Sequence, residues 1–411
     1  MNREALSLII TPFLVFAAGT ALAQTEPLPA PTPPPPVAEP SPAPAATVVE
    51  PAPTAEATAE AEKPALPDWL SRIEIGGFAA LSYRYELTEG AKDFNTFDLT
   101  RMYFFAIVKP ADHVKFRMTI DSPNREATTT VKDGVTTVNK DAGRFDVVLK
   151  HAYCELYDVP VRGLSFKFGM HDLPWIPFEE KIWTYRFQGP VFVDREGYLS
   201  STDLGVGVGY VLPGKWVEGQ VSLVNGETWS KPEASKHKDI HGRLTVRPLA
   251  SHPLLSGLAL NLFGSAGAYE GGDNQDRHRF IPQLAFELKH AAVAVEYLRA
   301  WDPPGRLVSR HPSLASSTDA VVTALGWSTF GWLDLGLFGV TEGLRVMGRV
   351  ERLDPDTNLA SNGHTREIVG VGYRLNKYVQ ALVDVEFVQY EPNAAAAANE
   401  RRIFVHTAIG F

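Results

Sequence analysis

The chain has 411 residues, 45% of them hydrophobic, and a formal net charge of −9. An acidic balance argues against nucleic acid as a partner, and the single cysteine, Cys154, excludes an internal disulfide framework and a cysteine-based metal centre. Beyond the N-terminus no uninterrupted apolar run of about 18 residues occurs, so the mature chain offers no transmembrane helix.

Residues 1–23 read as a secretion signal. Arg3 supplies a positive start, Leu6 to Ala18 is an apolar stretch broken by Thr11 and Pro12, and Ala21-Leu22-Ala23 fits the small-x-small cleavage pattern. The apolar stretch is too short for a retained anchor, which places the expected mature start at Gln24. Residues 24–67 are rich in Pro, Ala, Glu and Thr, with Pro33 to Pro36 in one run. Too few large apolar side chains are present to build a core, so this segment is expected to be a disordered, polyproline-type extension in the periplasm. It is either a solvated tail or an arm that touches the cell wall or another protein.

From residue 68 to 411 the texture changes to alternating runs of about ten residues, the length of a transmembrane β-strand. In chain order the strands are Ile73–Tyr85, Phe97–Lys109, His113–Asp121, Phe145–Asp158, Leu164–His171, Asp203–Val211, Trp216–Val224 and Asp239–Arg247. Then follow Leu258–Tyr269, Arg279–Leu288, Ala292–Ala300, Asp319–Thr329, Leu344–Asp354, Arg366–Leu375, Val379–Tyr390 and Arg402–Phe411. The pattern predicts an all-β protein, a 16-stranded antiparallel transmembrane β-barrel; the even number returns the chain to its starting side. Alternate connections are short: Pro110-Ala111-Asp112, Val159 to Gly163, Pro213-Gly214-Lys215 and Asn376-Lys377-Tyr378. Ser122–Arg144 and Asp172–Thr202 are long, as external loops are. The stretch Phe330 to Gly343 fits poorly as a turn, because Leu333, Leu335 and Leu337 alternate like a strand face; an extra strand there would break the even count.

Period-two alternation assigns faces. Val114, Phe116, Met118 and Ile120 are expected to face lipid, as are Leu164, Phe166, Phe168 and Met170, and Val217, Val221 and Leu223. The final strand presents Ile403, Val405, Thr407, Ile409 and Phe411 on one face. Tyr83, Tyr85, Tyr103, Tyr157, Tyr210, Tyr297, Tyr373 and Tyr390 fall near strand ends, where aromatic girdles sit. The lumen candidates are the cations Lys115, Arg117, Lys167, Arg243, Arg247, Arg345, Arg349 and Arg402 with the anions Asp121, Glu218, Glu296, Glu351, Asp384 and Glu386. A narrow aqueous pore selects by the sign of such charges, and this balance leans toward anions; the competing role is cross-wall pairing that stiffens the barrel.

Several short motifs resemble the phosphate-selective porin O and P family of bacterial outer-membrane channels. They are Lys167-Phe168-Gly169 followed by Pro174 and Pro177-Phe178-Glu179, then Asp203-Leu204-Gly205-Val206 and Val224-Asn225-Gly226-Glu227. Asp239-Ile240-His241-Gly242-Arg243-Leu244 with Arg247-Pro248, and Arg349-Val350-Glu351-Arg352-Leu353-Asp354-Pro355-Asp356, continue the series. The resemblance implies a homotrimer in the outer membrane, with a third loop folded inward as a constriction. Trp175, Glu179, Glu180, Lys181, Trp183, Tyr185, Arg186 and Arg195 are that loop's candidate residues. Its charge is mixed and its aromatic content high, which does not match the dense Arg/Lys cluster a phosphate dianion demands. The expected function is a passive porin for small hydrophilic solutes or anions. The alternative is a structural barrel that tethers the outer membrane to the cell wall through the Pro-rich arm.

No enzyme, metal or cofactor motif stands out. Ser201, His241 and Asp239 lack the spacing of a hydrolase triad. His237 and His241 are about 13 Å apart along a strand, too far for one ion. Asp354-Pro355-Asp356-Thr357-Asn358 is oxygen-rich, either a calcium loop or a turn.

Overall fold

The computed structural model describes residues 68–411 except 92, 124–128, 133–134, 139–146, 230–235, 272–274 and 395–397. The expectations for residues 1–67 therefore lie outside the described residues. A short helix, α1 (Asp68–Ser71), leads into β1 (Ile73–Glu86). The next strands are β2 (Asn95–Ala111), β3 (Val114–Pro123), β4 (Val148–Tyr157), β5 (Leu164–Asp172), β6 (Thr202–Val211), β7 (Val217–Val224) and β8 (Asp239–Val246). The remainder are β9 (Leu258–Ala268), β10 (Asp276–Leu288), β11 (Ala291–Asp302), β12 (Val322–Asp334), β13 (Leu344–Asp354), β14 (His364–Arg374), β15 (Val379–Tyr390) and β16 (Glu400–Gly410). Each pairs antiparallel with its chain neighbours and β16 returns to β1, closing the barrel. A small hairpin, Thr129–Lys132 with Val135–Val138, sits in the loop after β3.

Closure leaves no unpaired edge, and the seam shows how tightly it is made. Phe411 exchanges backbone hydrogen bonds with Gly77, each at 3.1 Å, and its ring lies against that glycine. A Cβ at position 77 would stand 2.2 Å from Phe411 Cζ, so any larger residue there would displace the Phe411 ring. Ile409 and Val405 are exposed on the outer face while His406 and Ala408 are buried inside. Phe116, Met118, Phe166, Phe168, Val221 and Leu223 likewise face outward, forming the apolar belt a membrane requires.

Phe330 to Gly343 holds no additional strand. β12 runs on to Asp334, whose Oδ1 accepts from the Gly336 and Gly343 amides, at 3.0 and 3.4 Å, and so turns the chain. Tyr103 does not join the outer girdle. β2 is longer than its pattern suggested and carries a register shift opposite Ala80/Leu81, which leaves Tyr103 within the strand, facing the lumen.

The core lies inside the barrel. Residues 173–201, the third long loop, fold inward and carry α2 (Ile176–Trp183) and α3 (Phe192–Arg195). Trp175, Ile182, Trp183, Phe187, Phe192 and Tyr198 pack on the inner faces of β9 to β16, against Phe263, Ile281, Leu298, Phe330, Leu353 and Ile368. Small inward residues such as Ala285, Ala292, Ala294 and Ala300 make room for them. Fully burying each large apolar side chain contributes about 1.5–3 kcal/mol, so the loop is an integral layer of the fold.

Candidate functional site

Wall donors fix the path of the third loop by gripping its backbone carbonyls at regular intervals. Arg243 Nε donates to Pro174 O at 3.0 Å and Trp332 Nε1 to Ile182 O at 3.1 Å. Arg349 Nη1 donates to Pro190 O at 3.3 Å and Arg279 Nε to Tyr198 O at 2.8 Å. From a neighbouring long loop Arg310 Nη1 reaches Arg195 O at 2.5 Å, and His311 Nε2 lies 3.0 Å from Glu196 O. The loop's polar backbone is thereby satisfied inside the barrel, as buried carbonyls must be.

This packing divides the sequence-derived lumen candidates into two groups. One group is shut behind the loop. Arg349, 1% exposed, donates from Nη2 to Glu179 Oε1 at 3.0 Å, and its Nε lies 3.2 Å from Glu351 Oε1. The network continues from Arg195 Nη1 to Glu351 Oε2 at 3.5 Å and from Arg366 Nη1 to Glu386 Oε1 at 2.7 Å. Arg402 joins Glu386 at 3.2 Å and Glu86 at 3.1 Å. Arg345 pairs with Asp334 at 3.2 Å. Glu296, 1% exposed, lies against the Glu179 carboxyl, the two buried acids interacting through a side-chain hydrogen bond. Arg345, Arg349, Glu351 and Glu296 therefore do not line an open passage; loop residues cover them. Trp175, Trp183 and Tyr185 are likewise turned to the wall, at 1%, 0% and 3% exposure, and present no stacking surface to a solute. Burial pushes the Glu179 carboxyl up, to about 7, against the opposing pull of Arg349.

The second group faces the remaining lumen along β1 to β8. Lys115 pairs with Glu155 at 2.6 Å and Arg117 with Asp172 at 3.8 Å, both part-exposed, whereas Lys150, paired with Asp121 at 3.5 Å, is buried. Near the short-turn end Glu218 takes Arg243 at 2.8 Å and Arg247 at 3.3 Å. The loop itself presents Arg186, which pairs with Asp194 at 3.1 Å and with Glu180, and the exposed Lys181. Lys167 forms no ion pair among the described residues and lies 5.5 Å from the Tyr153 ring centre. Similar ring contacts hold Arg117 over Phe105 at 5.7 Å and Lys150 over Tyr103 at 4.6 Å.

Arg101, Lys150 and His151 escape the alternation reading. The pairing of β3 with β4 shifts register between Thr119 and Ile120, so Lys150 and His151, adjacent in sequence, are both buried inside. A bulge breaks face assignment in this way. Arg101 sits beside the shift in β2, where its guanidinium meets the Tyr103 hydroxyl.

The hydrolase and calcium readings gain no geometry. Ser201 Oγ lies 3.4 Å from Thr202 Oγ1, and His241 Nε2 is 3.8 Å from Asp239. Asp354 and Asp356 accept from backbone amides two residues on, at 3.1 and 3.0 Å, as turn residues do.

No protein-family model matches the chain, and no curated protein matches it. Solved structures do. OmpF of Salmonella typhi, in a complex with daunomycin, superposes with a TM-score of 0.57 at 10% identity, over 82% of this chain and 97% of that one. The fold is that of a bacterial outer-membrane porin. OprB of Pseudomonas putida gives a TM-score of 0.57 at 8% identity, covering 83% of this chain and 95% of its own. A loop-deletion mutant of OmpT from Vibrio cholerae gives 0.54 at 11%, covering 82% and 99%. The porin fold accounts for the sixteen strands, the short and long ends, and the inward loop together.

Proposed function

We propose that this chain is a passive diffusion channel for small hydrophilic solutes in the outer membrane of a Gram-negative bacterium. The carrying observation is the division of the barrel interior: the third loop packs on β9 to β16, while the charged pairs Lys115–Glu155 and Arg117–Asp172 on the inner wall of β1 to β8 stay part-exposed. Fixed charges on low-dielectric walls concentrate ions of opposite sign.

Several finer readings belong to the same proposal. Lys115, Arg117 and Lys167 favour anions, but Glu155 and Asp172 pair with the first two. That pairing supports weak anion preference over phosphate selection, which needs cations free to replace the water of a dianion. A homotrimer is in keeping with the trimer form of Vibrio cholerae OmpT, a fold neighbour at a TM-score of 0.50. Residues 1–23 would direct export, residues 24–67 would extend into the periplasm, and residues 68–411 would form the barrel.

Purified protein added to planar bilayers should give stepwise conductance, and a salt gradient should give a small reversal potential of the anion-selective sign. Membranes that stay silent would sink the channel reading. Deleting residues 24–67 should leave conductance unchanged; envelope fragility with unchanged permeability would instead favour a tether.

A further inference from the structure

The inner wall of β4 to β7 holds a small polar cavity of about 70 Å3, lined by Glu155, Ser165, Lys167, Gly207, Gly209 and Gln220 and by no residue of the third loop. The ladder brings these residues together. Lys167 stands between Glu155 and Gly207, and Gly209 stands between Ser165 and Gln220. Phe166, Phe168, Val206, Val208 and Val221 are exposed on the outer face, so the alternate positions point into the barrel. Two successive inward glycines on β6 leave a notch one strand wide between the side chains of β5 and β7. Neither has a positive φ, so the backbone does not require glycine there. A Cβ at Gly209 would stand 2.9 Å from Ser165 Oγ, and one at Gly207 would stand 2.9 Å from His171 Cε1 and 3.2 Å from Ser222 Oγ. Side chains on these glycines would therefore take up the cavity. Ser222, 1% exposed, has no hydrogen-bond partner for its hydroxyl among the described residues.

The chemistry of the lining selects a solute. Glu155 is taken by Lys115 at 2.6 Å, whereas Lys167 forms no ion pair among the described residues and rests 5.5 Å from the Tyr153 ring centre. One uncompensated cation matches one negative charge. Gln220 Nε2 donates to Asp172 O at 3.1 Å, which leaves the amide oxygen of Gln220 as an acceptor. The Ser165 hydroxyl can donate or accept. A cation beside acceptors for an O–H group fits a carboxylate that carries a hydroxyl. A water needs about 10–15 Å3 of such space, so a cavity of 70 Å3 takes about five heavy atoms. That is the size of glycolate. We propose that the notch binds a short hydroxycarboxylate, with Lys167 holding the carboxylate and Gln220 and Ser165 the hydroxyl. The site deepens the diffusion-channel reading above, on which it rests, by naming a solute class and a place on the wall apart from the third loop.

The test uses the full chain in detergent micelles with glycolate as the probe, read by saturation-transfer NMR. Glycolate should bind, and acetate, which lacks the hydroxyl, and ethylene glycol, which lacks the carboxylate, should each compete poorly. Lys167→Gln should weaken glycolate binding about tenfold, the loss of a charge-assisted hydrogen bond, and Lys167→Arg should retain part of it. Gly209→Ala, which fills the notch without altering charge, should weaken binding to a similar degree. Lys289→Gln makes the same charge change in the exposed turn between β10 and β11 and should bind as wild type. Each variant is first shown to be a closed barrel by its heat-dependent gel mobility. Wild-type binding by Lys167→Gln or by Gly209→Ala would overturn the proposal. So would an equal loss in Lys289→Gln, which would make the effect one of overall charge, or acetate and ethylene glycol binding as tightly as glycolate. Binding is read without conduction. Silent bilayers with glycolate bound would sink the channel reading and leave the site, and conducting bilayers without glycolate binding would do the reverse.

Discussion

Trp183 and Arg349 carry much of what holds the third loop to the wall. The Trp183 ring meets Phe330 edge-on at 5.5 Å, and the Arg349 guanidinium lies 4.6 Å from its centre. Trp183→Ala should cost about 3–5 kcal/mol of loop packing. It should also raise open-channel noise and conductance in bilayer recordings, because the loop is then free to leave the wall. Arg349→Ala strands Glu179 and Glu351 without their shared cation, and breaking a buried pair in this way costs about 3–5 kcal/mol, readable as a lower unfolding temperature in detergent. The Glu179 carboxyl adds a pH dependence. Its value in the fold, about 7, exceeds the ordinary 4.5, so the folded state holds the proton more tightly. The associated stability is fully present below pH 4.5 and is lost as pH rises through about 7. Thermal unfolding from pH 4 to pH 8 should show this decline, and Glu179→Gln should flatten it.

At the scale of elements, the barrel seam gives the clearest prediction. Gly77→Val places side-chain atoms where the Phe411 ring now lies, since even a Cβ would come within 2.2 Å of it. The variant should refold into detergent micelles more slowly and lose the gel-mobility shift of the closed barrel at a lower temperature. Deleting Phe411 should give a milder defect, because the β1–β16 ladder from Phe78 to Glu86 remains. Strand count, order and most faces were legible in the sequence because a half-lipid, half-water wall forces period-two alternation. Legibility failed where a bulge intervened: Lys150 and His151 point inward together, and Tyr103 left the girdle for the lumen. It also failed where the loop chose a wall. A clue was present in β11, Ala291–Asp302, whose inner face offers Ala292, Ala294, Leu298 and Ala300 around Glu296, beside an outer face that is apolar except for Arg299. A strand largely apolar on both faces has something packed inside it, and here that is the third loop.

For the whole molecule, the division of the lumen makes charge position matter more than charge count. Lys115 and Arg117 keep part-exposed ion pairs and Lys167 has none among the described residues, whereas Arg345, Arg349 and Arg402 are held in more deeply buried pairs. Reversing the first three to Glu should swing the anion-to-cation permeability ratio by roughly tenfold, the scale on which wall charge concentrates ions. Screening then provides the internal control. The Debye length falls from about 10 Å at 0.1 M salt to about 3 Å at 1 M, so the swing should shrink steeply in concentrated KCl while single-channel conductance stays near wild type. Reversing the second three should leave the permeability ratio of surviving channels unchanged and instead reduce the yield of folded barrels. Equal swings from both sets in a reversal-potential measurement would mean that ions also pass behind the third loop, and the divided lumen would not describe the conducting state.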